Sequence, residues 1–404
     1  MKKSQSQSLI LWRQVGGVAV LQGAITLTWM LYRLYVPQLL AGFGFPGFDM
    51  AIGILEDALA VAIEPFAGWL SDKQRRWMGT RFPIIIVGAI LSSVLFIMIP
   101  AIFILGDPAS LWRWILPVVI VAWAMAMAMF RSPAVSLLGK YASQTQLPQA
   151  MSLLALAGGA VGAIKPVTSG FILSLGPAFT FAIGSFVLLA AVAFLRSVNP
   201  DATVLELPSD TGSDDRVSIL SLGIIAITGM AVAWGSRAMA ERILPDVLAT
   251  QIPGIDIKLL MMGVGFALAF AALLAAKVAV RAGNRRALLG GLATTAVLLL
   301  VMVFSQGAVA VGAIVMAAIL SYSLVANGTV PFALSLVPPL RGGLGVGIYF
   351  GGFSLGMTLY SIVFGAPLGL PVVNAAVIGA IAFLVAGVCV AAGDRIKPTW
   401  PVTN

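Results

Sequence analysis

Ionisable side chains interrupt long apolar runs at Arg33, Glu56, Asp57, Glu64, Arg131, Lys165, Arg237, Glu241 and Arg242. Placing such a group in hydrocarbon costs roughly 2.5 kcal/mol or more, so each position calls for a reason. Glu56 and Glu64 lie eight residues apart, close to one face of a helix. Asp57 points about 100° away. A carboxylate in a low-dielectric site gains proton affinity, so Glu64, Glu56 and Asp57 are candidate coupling groups. They would load and unload a proton, or two of them would share a sodium ion. The other reading puts Glu64 in a charge network with Arg131, and Glu56 and Asp57 merely facing a cavity. The fixed guanidinium of Arg131 suits an anionic or hydroxyl-rich substrate, or else a structural partner such as Glu64 or backbone carbonyls. Lys165 precedes Pro166, which kinks a helix and frees a carbonyl.

Much other chemistry is excluded. The chain has no histidine, which removes histidine bases, serine–histidine triads and most zinc sites. Its one cysteine, Cys389, allows no internal disulfide. No phosphate-binding loop occurs, since Gly139-Lys140 lacks both the upstream glycine and the following Ser/Thr. No enzyme, resident cofactor or metal centre is expected.

The elements that must hold these groups are membrane helices. The chain has 404 residues, of which only 10% are charged, and its mean hydropathy is +1.03. Apolar runs of about 20 residues recur, each able to cross ~30 Å of hydrocarbon. They predict an all-α polytopic membrane protein with about twelve spans: 11–40, 50–70, 82–105, 114–138, 151–175, 177–195, 217–244, 257–280, 287–305, 308–336, 344–366 and 371–392. The first is read as an uncleaved span, because Arg13 interrupts any signal-peptide pattern and no A-x-A site follows. The polar, acidic stretch 196–216 predicts a cytoplasmic linker between an N-terminal six-helix bundle, 1–195, and a C-terminal one, 217–404.

With the N-terminus inside, nearly every loop Lys and Arg is cytoplasmic and only Arg113 and Lys258 fall outside. Both termini are therefore expected in the cytoplasm, in a bacterial inner membrane. The net charge of +9 is spread over short loops, which suits anionic lipid and not nucleic acid.

The halves echo one another. Val36 to Asp49, V-P-Q-L-L-A-G-F-G-F-P-G-F-D, returns as Leu244 to Asp256, L-P-D-V-L-A-T-Q-I-P-G-I-D. With a gap at Gly44, Pro37 falls on Pro245, Gly47 on Gly254 and Asp49 on Asp256. The basic loop Lys73 to Arg81 likewise has a counterpart in Arg281-Ala282-Gly283-Asn284-Arg285-Arg286. Extended inward, the first alignment sets Arg33 against Glu241 and Trp29 against Arg237. Arg33 and Glu241 either pair across the halves when the outer side closes, or each snorkels to the outer interface. Gly343, Gly347 and Gly351, then Gly352 and Gly356, recur at four-residue spacing, which predicts close helix packing.

The stretch Glu64 to Pro83 reads E-P-F-A-G-W-L-S-D-K-Q-R-R-W-M-G-T-R-F-P. Gly68 permits close approach of another helix, Asp72 suits a helix N-terminus or a basic partner, and Gly79 allows a tight turn. With Arg75 and Arg81 they form a candidate gating loop. This stretch resembles the loop motif of the major facilitator superfamily. It is most similar to the glycoside–pentoside–hexuronide and sucrose-transporter-like branch, D-P-x-x-G-x-x-S-D-x-x-x-x-R-x-G-x-x-x-P, with Glu64-Pro65 replacing Asp-Pro. Arg131-Ser132-Pro133-Ala134-Val135-Ser136-Leu137 resembles that branch's R-S-P-x-V-x-L, and Pro338-Pro339 with Gly345-Val346-Gly347-Ile348-Tyr349 its loop into span eleven. The chain departs from the branch at Lys140, where an acid is expected, at Pro148-Gln149, where a base is, and at Ala60, where cation-coupled members carry an acid.

The resemblance implies two pseudo-symmetric six-helix bundles whose spans 1, 4, 7 and 10 line a central cavity. That makes Trp29, Arg33, Arg131, Arg237, Glu241 and Asn327 candidate substrate-binding residues, and it aligns Glu64 with the family's coupling acid. It further implies a monomeric secondary transporter that moves a small polar solute, a sugar or glycoside first, by proton- or sodium-coupled alternating access. Pigment-delivery and light-harvesting assembly proteins share a similar G-x-x-S-D loop. A non-transporting factor that binds pigment or partner proteins is therefore the alternative, with a drug or organic-anion exporter beside it.

Overall fold

The computed structural model describes residues 10–107, 111–199, 217–365 and 371–393. Most of the proposed linker, from 200 to 216, lies outside the described residues. Among the described residues, twelve long helical elements follow one another. The first half contains α1 (Trp12–Gly42), α2 (Asp49–Met78), α3 (Phe82–Leu105), α4 (Ile115–Ser136), a two-part α5 (Leu147–Ala163 and Lys165–Ser174) and α6 (Pro177–Ser197). In the second, α7 runs from Ile219 to Arg237, through a π-helical turn at Ala238–Ile243, to Leu244–Gln251. It is followed by α8 (Ile257–Ala282), α9 (Asn284–Phe304), α10 (Ala308–Ser335), α11 (Gly342–Phe364) and α12 (Val372–Gly393).

Ten of these are long and apolar enough to cross a membrane, and the two parts of α5 make an eleventh. The twelfth, α2, is 30 residues long but carries Glu56, Asp57 and Glu64 in its apolar stretch. Pro166 bends α5 by 58° between its parts, at the position where the sequence predicts a kink. The π turn in α7 was not foreseen. It sits just before Pro245, which cannot donate a helical hydrogen bond, and it carries Glu241.

Packing repeats with the chain. α1 packs on α5 and α6, α2 on α4, and α3 on α4 and α6. The same pattern returns as α7 on α11 and α12, α8 on α10, and α9 on α10 and α12. Contacts between the two sets exchange in the same way: α2 on α11 answers α8 on α5, and α4 on α11 answers α10 on α5. The turn glycines repeat too. Gly47 and Gly254 both have φ in the left-handed region, at +74° and +94°, as do Gly79 and Gly283, at +70° and +86°. A side chain is strained there, so matched glycines at matched turns show that the sequence echo is structural.

The long seam between α2 and α11 is made of backbone. A Cβ on Gly68 would lie 2.1 Å from the Gly343 carbonyl oxygen, and one on Gly347 would lie 2.4 Å from that of Glu64. Pro65 leaves the Val61 carbonyl without its helical donor, and Gly351 packs against that oxygen. The other face of α11 meets α7 in the same manner, with Gly352 against Ala226 and Gly356 against Met230. The four-residue glycine spacing of α11 thus serves two neighbours.

Candidate functional site

The site begins on α2. Glu64 is fully buried, and its Oε1 accepts from Nε of Arg131 at 2.8 Å and pairs with the Nη2 at 2.6 Å. Ser132 on the same helix donates to the Glu64 carbonyl oxygen at 3.2 Å. Arg131 also lies 4.4 Å above the Phe350 ring of α11. One ion pair therefore joins α2 to α4, with its guanidinium resting on the other half of the molecule. The second Glu64 oxygen, Oε2, is buried and has no hydrogen-bond partner among the described residues.

Two turns away along α2, Glu56 is buried and accepts a hydrogen bond from the Tyr32 hydroxyl of α1. Tyr32 stacks on Trp123 at 4.2 Å between ring centroids, and Trp29 meets both rings edge-on. Asp57 is half-buried and makes no hydrogen bond or ion pair among the described residues. Arg33 is exposed, with its guanidinium 5.4 Å from the Trp29 ring.

These groups line a cavity of about 180 Å³ between α1, α2, α4 and α11. A second cavity of about 370 Å³ lies between α7, α8, α10 and α11. Both are bounded by Phe353 and Met357 of α11. The first holds Glu56, Asp57, Glu64, Arg33 and Arg131. The second is mostly apolar, with Leu244, Met261, Leu268 and Ile319 in its wall. Its two charges neutralise one another, since Nε of Arg237 donates to Glu241 at 2.9 Å.

The candidate substrate residues divide accordingly. Trp29, Arg33 and Arg131 line the charged cavity, and Arg237 and Glu241 the apolar one. Asn327 lines neither. It is fully buried and donates from Nδ2 to the Ala272 carbonyl at 2.6 Å, so it ties α10 to α8. Arg33 and Glu241 form no ion pair here, because Glu241 is held by Arg237 one turn earlier. The sequence reading missed Tyr32, Phe350, Phe353 and Met357. The last three sit at i, i+3 and i+7 on α11, one helical face, so their periodicity was available within a span read only for its glycines.

The candidate gating residues converge at the basic end. Asp72 is fully buried and caps the N-terminus of α11, accepting from the Gly343 amide at 2.9 Å and the Leu344 amide at 2.8 Å. It also pairs with Arg81, which is only 3% exposed and reaches the Ser136 carbonyl as well. Arg75 donates to the Pro339 carbonyl at 3.1 Å. Gly68 provides the close approach beneath and Gly79 the left-handed cap of α2.

No protein-family model and no curated protein sequence matches the chain. Solved structures do match it along nearly its whole length. The transporter FucP in its outward conformation superposes with a TM-score of 0.68 at 15% identity, covering 94% of this chain and 98% of its own. The human organic anion transporter MFSD10 gives 0.69 at 13%, covering 94% and 99%. A bacterial homologue of the iron transporter ferroportin, outward-facing, gives 0.72 at 14%, covering 95% and 100%. The chain has the major facilitator fold. The charged cavity lies between first-half helices and α11, whereas the apolar cavity is lined by second-half helices alone.

Proposed function

We propose that this protein is a secondary transporter that moves a small organic solute by alternating access. The observation that carries the reading is the Asp72 cluster. Two halves that share the charged cavity are joined at one end by hydrogen bonds to a helix N-terminus. Such bonds can be exchanged for water when that end opens. The basic loops support a cytoplasmic location for this end and for both termini, with the protein in a bacterial inner membrane. The protein acts as a monomer in this reading.

Proton or cation coupling falls to Glu64, with Glu56 behind it. Glu64 is buried with one oxygen unpartnered, and its partner Arg131 rests on the opposite half, so its charge state bears on how the halves meet. Motif resemblance favours the sugar-transporter branch, and one solved protein of the same fold is described as a fucose:proton symporter.

The test is solute uptake into proteoliposomes under an imposed proton or sodium gradient, with a panel of sugars, amino acids and organic ions. Gradient-driven uptake that Glu64→Gln uncouples supports the reading. A panel with no uptake or exchange, together with visible absorbance in the purified protein, replaces it with a pigment-binding role.

A further inference from the structure

We infer that the two cavities form one bipartite site for an amphipathic zwitterion. Its ammonium would sit at Asp57, its acidic group at Arg33, and its apolar body in the adjoining cavity beyond Phe353 and Met357. The inference rests on the transporter reading and names the substrate class of that same site.

The argument starts from which charges are already used. Glu64 and Arg131 neutralise one another, Arg237 and Glu241 do the same, and Glu56 holds the Tyr32 hydroxyl. Asp57 and Arg33 are what remain in the charged cavity. Asp57 has no hydrogen-bond or ion-pair partner among the described residues. Arg33 is exposed, lies over the face of Trp29, and makes no hydrogen bond or ion pair among the described residues. Arg33 and Asp57 line the same cavity, yet the two form no salt bridge. One ligand in that cavity can meet both, and neither satisfies the other. A group with both signs of charge answers both, with the guanidinium fork suited to a carboxylate. A plain cation or anion leaves one of them unanswered, at greater cost for half-buried Asp57 than for exposed Arg33.

The other half of the site fixes the rest of the ligand. The cavity of about 370 Å³ falls within the ~300–1,000 Å³ of typical small-ligand pockets. Its methionines, Met239, Met261 and Met357, are adaptable apolar surface. Neither cavity is lined by an asparagine or glutamine amide, and a sugar's neutral hydroxyls would draw on such groups.

The experiment is calorimetric titration of the full-length protein in lipid nanodiscs, with empty nanodiscs subtracted. The probes are phenylalanine, 3-phenylpropylamine, 3-phenylpropanoate, glycine and sucrose. Phenylalanine is expected to bind at least tenfold more tightly than each of the others. Asp57→Asn should lower phenylalanine affinity about tenfold while leaving 3-phenylpropanoate unchanged. Arg33→Gln should lower phenylalanine affinity while leaving 3-phenylpropylamine unchanged. A merely structural role would move both probes together. Ala240→Phe, at an exposed position in the apolar cavity wall, should abolish the advantage of phenylalanine over glycine. It serves as the readout if either charge variant fails to fold. The inference is overturned if the amine alone matches phenylalanine, if glycine does, or if sucrose is the best ligand. Because binding is read without transport, tight phenylalanine binding with no uptake would fail the transporter reading alone.

Discussion

A buried carboxylate with one satisfied oxygen depends heavily on its single cation. Glu64 is in that position, since among the described residues Arg131 is its one charged partner and Oε2 has none. Removing one member of a buried pair costs about 3–5 kcal/mol, because the survivor stays buried and charged. Arg131→Ala is therefore expected to destabilise the protein by about that amount, read as a large fall in thermal unfolding temperature in detergent. Glu64→Gln should be milder, since an amide oxygen still accepts from the guanidinium. The double variant Glu64→Gln/Arg131→Gln should recover much of the loss, as expected for directly coupled residues. An additive double variant would mean that the pair does not act as a unit. Both residues were legible in the sequence, because a charge inside an apolar run demands a partner. Their partnership was one of two open readings and needed the packing of α2 on α4 to decide it. Tyr32 was not legible at all. A tyrosine in a span is ordinarily interfacial or core, and only the fold brings its hydroxyl to Glu56.

At the scale of the helix, α11 is built to be approached from two sides. Its glycines place backbone against backbone at Gly68 and Glu64 on one face and at Ala226 and Met230 on the other. Without a hydrophobic force between helices in lipid, such close packing supplies much of their attraction. Gly68→Ala would put a methyl carbon 2.1 Å from the Gly343 carbonyl oxygen. Neither backbone can step aside, so α2 and α11 must part. Loss of monodisperse folded protein on size exclusion is the expected outcome. Gly53→Ala on the same helix meets nothing within 4 Å and should be neutral or stabilising by up to ~1 kcal/mol, since alanine is the better helix former. Equal behaviour of the two variants would remove close packing as the explanation. The helices themselves were legible because uninterrupted apolar length is an unambiguous signal. The kink at Pro166 was legible for the same local reason. The π turn at Ala238–Ile243 was not, since it arises where α7 negotiates Pro245 against its neighbours.

For the whole molecule, the sequence echo and the pairwise packing give two halves with the same pattern of helix contacts, but their joint at the basic end is one-sided. The last turns of α2 have Asp72 to cap α11, whereas the stretch Ala275 to Gly283 at the end of α8 has no acid to offer α5. The stability of the state closed at this end therefore leans on Asp72. Its carboxylate satisfies two orphan amides of α11 and the charge of buried Arg81. Hydrogen bonds to a charged group are each worth about 1.5–3 kcal/mol. Opening this end gives all of these groups to water, so little of that stabilisation survives in the open state. Asp72→Ala removes the contacts from the closed state and leaves Arg81 buried without its anion. A net shift of about 2–3 kcal/mol is expected, which moves the closed-to-open ratio by about 30- to 150-fold. Spin labels at Gln144 and Arg286, both exposed at the basic end on opposite halves, would report it in a Cys389→Ala background. The long-distance population should grow in Asp72→Ala and stay nearly unchanged in Arg75→Ala. The Arg75 bond to Pro339 is exposed and so is readily replaced by water. An unaltered distance distribution in Asp72→Ala would mean that the glycine seam alone holds this end shut.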